Sequence, residues 1–146
     1  MADFDSKNLQ FIEDYPKYEP EPGEEYMSPR MLEHFRNKLL AWKEQILREA
    51  EETVEHLRND SEAPADPNDR ATLEEEFAIE LRTRDRERKL LAKIEASLRD
   101  IENGEYGYCK VTGEEIGLAR LEARPTATMT VEAKRKQEMR EKQGIA

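Results

Sequence analysis

SPRMLEHFRNKLLAWKEQILREAEETVEHLRNDSEAPADPNDRATLEEEFAIELRTRDRERKLLAKIEASLRDIEN, residues 28–103, is the stretch that decides the fold. Leu32, Phe35, Leu39, Trp42, Ile46, Ala50, Val54 and Leu57 recur at steps of three and four, which puts them on one stripe of a helix. Leu73, Phe77, Leu81, Leu91, Ile94, Leu98 and Ile101 keep the same spacing after the SEAPADPND turn. Two arms of about 30 residues, at ~1.5 Å rise, make rods of roughly 45 Å. The spacing predicts an antiparallel coiled-coil hairpin that projects from the rest of the chain.

Closing the hairpin at the turn pairs residues whose numbers sum to about 129, which sets Phe35 opposite Ile94 and Leu32 opposite Leu98. Midway, Arg84 and Arg88 fall where the seam wants apolar side chains. The expectation is that their stems cover Trp42 and that a guanidinium stacks on the indole or reaches Glu44.

Composition agrees with a hairpin. Apolar residues make up 36% and charged residues 40%, too little oil for a broad core but enough for one seam per helix. The net charge of −10 argues against nucleic acid as the main ligand. The charge is uneven: residues 61–80 hold seven acids and one base, whereas 15 bases meet 12 acids from residue 81 onward. No apolar run suggests a leader or a membrane span, and one cysteine fits a reducing cytoplasm.

Around the hairpin, residues 1–27 are acidic and carry Pro16, Pro20 and Pro22, so only a short helix near Asp5 to Asp14 is available. Their scattered aromatics predict docking against the hairpin base. Ser28-Pro29 is a helix start, a serine cap followed by proline at the first helical position. Asp66-Pro67-Asn68-Asp69 repeats that logic at the second arm, and the tip (residues 60–70) places carboxylates at the end of a long rod. His34 and His56 are too far apart along a helix to share a metal and are expected to be solvated.

Residues 104–146 break the rhythm. Gly104, Gly107, Gly113 and Gly117 mark turns, Val111, Ile116, Leu118 and Leu121 are expected to fill a small core, and residues 131–142 read as a basic helix. Cys109, Thr112, Thr130 and Ala133 stand at the spacing of a four-cysteine zinc ribbon. Two hydroxyls and a methyl cannot complete a tetrahedral site, so a metal-free knuckle is expected, with Cys109 buried. There is no catalytic histidine beside the cysteine and no phosphate loop, and the chain does not read as an enzyme.

DPNDRATLEEEFAIELRTRDRERKLLAKIE, then GYCKVTGEEIGLARLEARPTA and the closing REKQ, resemble the DksA branch of the DksA/TraR family of bacterial RNA polymerase-binding transcription factors. The resemblance runs from about Pro22 to the C-terminus. It implies a mainly α fold: a long coiled-coil hairpin (28–103) on a small globular base made of residues 1–27 and 104–146, with a degenerate zinc-ribbon-like knuckle and a C-terminal helix. It implies a monomer that enters the secondary channel of RNA polymerase, destabilises open promoter complexes and acts with guanosine tetraphosphate (ppGpp), without binding specific DNA sequences. Ribosomal RNA promoters would be repressed and some biosynthetic promoters activated.

Position by position, the resemblance makes Asp66, Asp69 and Ala71 tip residues, Arg86 a polymerase contact, and Leu90, Lys93, Arg124 and Lys134 the lining of a ppGpp site shared with polymerase. Arg86, Leu90 and Lys93 at i, i+4 and i+7 share one face of the second arm, expected to be free for a partner. The sequence departs from the commoner pattern at the ligand positions and is similar to the type that reads Cys, Thr, Thr, Ala, which implies independence from zinc. Two other readings compete: a transcript-cleavage factor or competitor using the same channel, and a coiled-coil adaptor unrelated to polymerase.

Overall fold

The computed structural model describes residues 4–60 and 67–144, apart from the side chains of residues 53, 56–60 and 67–69. Among the described residues five helices follow one another: α1 (Phe4–Asp14), α2 (Pro29–Asp60), α3 (Pro67–Glu102), α4 (Leu118–Ala123) and α5 (Val131–Lys142). Among the described residues, β structure is limited to an isolated antiparallel bridge between Tyr108 and Glu115.

α2 and α3 form the antiparallel hairpin, 32 and 36 residues long. α2 starts as its sequence dictates: the Met31 N–H donates to Ser28 Oγ at 3.2 Å, and Pro29 needs no partner at the first position. α3 begins at Pro67 and ends at Glu102, where Gly104 takes φ 73° and the Glu105 N–H closes back on the Asp100 carbonyl at 2.8 Å. The turn between the arms, with Asp66, lies outside the described residues.

Among the described residues, full burial in the seam is concentrated in its base-proximal half. Phe35, Leu39, Ile46 and Ile94 are completely buried, and each contributes ~1.5–3 kcal/mol by leaving water. The register differs from the expected one. Lys43 pairs with Glu95, and the Glu49 carboxylate faces Glu87, so opposing numbers sum to 138 and 136, not 129. One arm has therefore slid past the other by seven to nine residues, about two helical turns, relative to that expectation.

α1 lies across both arms, and its docking overturns the expectation for Trp42. The Phe11 ring lies nearly parallel to the indole with centroids 6.3 Å apart, and the indole Nε1–H donates to Asn8 Oδ1 at 2.9 Å. Arg88 turns instead to Asp85 on its own helix, and Arg84 is exposed. An aromatic ring removes more apolar area from water than an arginine stem, and the buried N–H gains a neutral acceptor.

His34 is not solvated. Its Nε2 lies 3.0 Å from Glu122 Oε1. The fully buried Lys38 donates through Nζ to the Glu122 carbonyl at 2.9 Å and to Oε1 at 3.1 Å, and the Tyr18 N–H donates to Oε2 at 2.6 Å. This polar knot fastens the N-terminal segment, α2 and α4 together, because each buried charge must meet its opposite. His56 lies outside the described side chains.

Candidate functional site

A cleft of about 700 Å³ opens where α1, α3, α4 and α5 meet. From α3 it is lined by Arg86, Leu90 and Lys93, from the α4 segment by Arg120 and Arg124, and from α5 by Lys134. The five residues assigned by resemblance to polymerase and ppGpp contacts thus share one concavity, although they are spread over nearly 50 positions of sequence.

Each arrives by a separate local device. Helical periodicity stacks the three α3 residues on one face. Arg124 caps α4, its N–H bonded to the Arg120 carbonyl at 2.7 Å. The loop that follows is pinned because the buried Tyr106 hydroxyl donates to the Pro125 carbonyl at 2.7 Å. Arg120 Nε donates to the Met129 carbonyl at 2.9 Å, which ties the loop to the start of α5. Thr130 then caps α5, accepting from the Ala133 N–H at 3.1 Å, and sets Lys134 in the first turn.

Electrostatically the cleft is cationic on one side. Lys93, Arg124 and Lys134 make no ion pair among the described residues, so three positive charges converge on open space. Such a wall suits a ligand with several phosphate oxygens, each taking a charge-assisted hydrogen bond. Arg120 and Lys89 add charge at the rim and were not singled out in the sequence. Lys89 is already paired with Asp85 at 3.0 Å.

The opposite wall is α1, with Phe4, Leu9 and Ile12, which the sequence pattern did not assign to a site. Arg86 is consequently not on a free face: it is ion-paired to Asp5, and its guanidinium carbon lies 5.1 Å from the Phe4 ring centroid. A short amphipathic segment between prolines gives no sign of which arm it will cover, so that contact was invisible in the sequence.

The knuckle lies next to α5. The Cys109 N–H donates to Glu114 O and the Gly113 N–H to Cys109 O, at 2.7 and 2.8 Å, closing the turn. Cys109 is buried as expected. Burial alone would raise its thiol pKa, but the Thr112 hydroxyl and the N–H groups of Thr130, Thr112 and Val111 surround the sulfur and bring it down to about 6. Lys110 takes no part in this, since its Nζ binds Asp100 at 3.0 Å. Val111 is 70% exposed and fills no core, because the turn at Gly113, φ 77°, carries it outward. Ile116 and Leu121 are buried.

The four ligand positions do not fit zinc. They offer one sulfur, the Thr112 and Thr130 hydroxyls, which accept backbone N–H bonds from Glu114 and Ala133, and the Ala133 methyl. Among the described residues no three His, Cys, Asp or Glu side chains cluster as a metal site would need.

At the tip, the Asp69 backbone lies in the first turn of α3, and Ala71 is exposed. Asp66 lies outside the described residues, as does the Asp69 side chain.

Residues 31–101 match the family model described as DnaK suppressor protein DksA, N-terminal domain, and residues 104–138 match the prokaryotic dksA/traR C4-type zinc finger. A Caulobacter vibrioides protein called RNA polymerase-binding transcription factor DksA is 60% identical over 125 residues, covering 86% of this chain and 88% of the relative. The chain belongs to the DksA family. Its Escherichia coli K12 relative of the same name is 51% identical over 126 residues, covering 86% and 83%. Transcription factor DksA2 from Pseudomonas aeruginosa has the same fold, with a TM-score of 0.76 and 37% identity over 92% of this chain and 98% of that one. The hairpin-and-base architecture of the DksA family is therefore the architecture of this chain. The zinc-finger portion keeps the family's backbone pattern with a ligand set that no longer fits zinc.

Proposed function

We propose that this chain binds RNA polymerase as a monomer, reaching through the secondary channel with the α2–α3 hairpin, and that it destabilises open promoter complexes together with ppGpp. Ribosomal RNA promoters are repressed and some biosynthetic promoters activated. It acts in the cytoplasm, reads no specific DNA sequence, catalyses no reaction of its own and needs no zinc. The tip residues Asp66, Asp69 and Ala71 carry the effect on the open complex. Leu90, Lys93, Arg124 and Lys134 hold ppGpp against the polymerase.

One observation carries this reading: Lys93, Arg124 and Lys134 come from three elements into one cleft without a carboxylate partner among the described residues. A fold that only needed a rigid base would neutralise those charges. A pyrophosphate-bearing ligand supplies the missing anions, and a second wall from polymerase completes a site that is open on one side. Membership of a family whose relatives are called RNA polymerase-binding transcription factors supports the partner. No described helix is long and apolar enough to cross a membrane.

The test is purified transcription from a ribosomal RNA promoter, with and without ppGpp. The native chain should inhibit, Asp69→Asn should bind polymerase but fail to inhibit, and Lys93→Ala with Arg124→Ala should inhibit without responding to ppGpp. Asparagine retains most helix-start ability, so its failure reports the lost charge. A native chain that binds but leaves the promoter untouched would sink the reading.

A further inference from the structure

We propose that α1 is a latch on the polymerase-facing side of α3, with Asp5 as its catch: the Asp5–Arg86 contact must open before Arg86 can reach a partner. The inference rests on the reading above, in which Arg86 meets RNA polymerase.

Arg86 is held twice by the same turn of α1, through its ion pair with Asp5 and through the Phe4 ring 5.1 Å below its guanidinium. Asp5 and Arg86 are 81 positions apart, so the pair is not the by-product of helix periodicity that Asp85–Arg88 and Asp85–Lys89 are. It forms only because α1 folds back over the second arm.

The two ends of α1 differ in how firmly they are fixed. Toward its C-terminal end, Phe11 stacks on Trp42, and Asn8 accepts from the same buried indole. At the N-terminal end, Asp5 and Arg86 are 64% and 49% exposed. Exposed ion pairs are weak, because water and salt compete for both charges. The Asp5 end can release while the Phe11 end stays docked. A partner carboxylate that buries the guanidinium makes a stronger bond than Asp5 does, and displaces it. The same release widens the ~700 Å³ cleft, of which Phe4, Asp5 and Leu9 are one wall.

The latch lowers apparent affinity by the fraction of molecules in which Arg86 is engaged, and for an exposed pair that amounts to about two- to five-fold. The experiment is competition binding to purified RNA polymerase with the native chain, Asp5→Asn, Arg86→Ala and the double variant. Asp5→Asn should bind about two- to five-fold tighter, Arg86→Ala weaker, and Asp5→Asn should add nothing in the Arg86→Ala background. Unchanged or weaker binding by Asp5→Asn overturns the latch. So does an equal gain in the Arg86→Ala background, which would show general charge repulsion. A native chain that does not bind polymerase overturns the partner reading and the latch with it, a result distinct from normal native binding that ignores Asp5.

Discussion

The Trp42 indole Nε1–H donates to Asn8 Oδ1 at 2.9 Å, across 34 residues of sequence. Asn8 in turn donates through Nδ2 to the Phe4 carbonyl at 2.9 Å. One buried amide thus fixes the middle of α1 on the hairpin while also serving the helix's own backbone. Asn8→Ala leaves the indole donor without its acceptor and should cost ~1–3 kcal/mol. Because Trp42 is the sole tryptophan, its fluorescence should shift to the red as water reaches the ring. Unchanged emission and melting temperature would show that α1 is not docked in solution.

The knot around Glu122 should control acid stability. Burial pushes this carboxyl up, but His34, the Tyr18 N–H and Lys38 outweigh it and hold it below its ordinary value of 4.5. Glu24 is lowered to about 2 by the Ser28 hydroxyl, the Tyr18 hydroxyl and the Glu21 N–H. For both groups the unfolded chain binds the proton more readily, so their contribution is present above pH 4.5 and is lost as pH falls below it, for Glu24 as pH approaches 2. Urea titrations at stepped pH should show that loss, and Glu122→Gln should flatten it. Lys38→Ala should cost ~1–3 kcal/mol at neutral pH, since it takes the lysine charge from a buried carboxylate that keeps only His34 and the Tyr18 N–H.

Glu87 is a liability. It is buried at the seam, and burial together with the facing Glu49 carboxylate raises its pKa against the pull of Arg84 and Lys7. Here the sign reverses: the folded chain holds the proton more tightly, so ionising this carboxyl works against folding. Glu87→Gln should raise the melting temperature by ~2–4 °C, the effect of about 1 kcal/mol at this size. A fall would mean that the carboxylate has a favourable partner.

Two glycines separate backbone strain from crowding. Gly107 has φ 91°, and a Cβ there would stand 2.9 Å from Met27 Cγ and Sδ, while Met27 is itself held at φ 55°. Gly113 has φ 77° with open space around it. Gly113→Ala should cost ~1–2 kcal/mol from left-handed backbone alone, and Gly107→Ala about 1–3 kcal/mol more from overpacking. Equal losses would mean that Met27 gives way freely.

Metal removal should do nothing. The knuckle is closed by backbone bonds and by buried Cys109, Ile116 and Ala133, so a chelator should leave the melting curve unchanged. Zinc retained at one equivalent through dialysis would contradict the donor chemistry of these four positions.

Whatever is local and periodic could be read from residue order alone. The two long arms, their serine and proline starts, the glycine stop at Gly104 and the Thr130-led helix all follow from side chains acting within a turn or two of themselves. The donor types at the four ligand positions were equally legible, because a ligand set is read from residue types at fixed spacing. So was the shared face of Arg86, Leu90 and Lys93, which helix geometry alone creates.

Tertiary structure decided everything that depends on which surfaces meet. The register slid by about two helical turns from the one that closing the chain at the turn would give, as the Lys43–Glu95 pair records. Trp42 was covered by Phe11 and not by Arg84 or Arg88, and His34 was drawn into the Glu122 knot. Arg86 was taken by Asp5. Each of these contacts joins segments between 31 and 88 residues apart, where apolar area and charge neutralisation are satisfied jointly and periodicity carries no information about the partner.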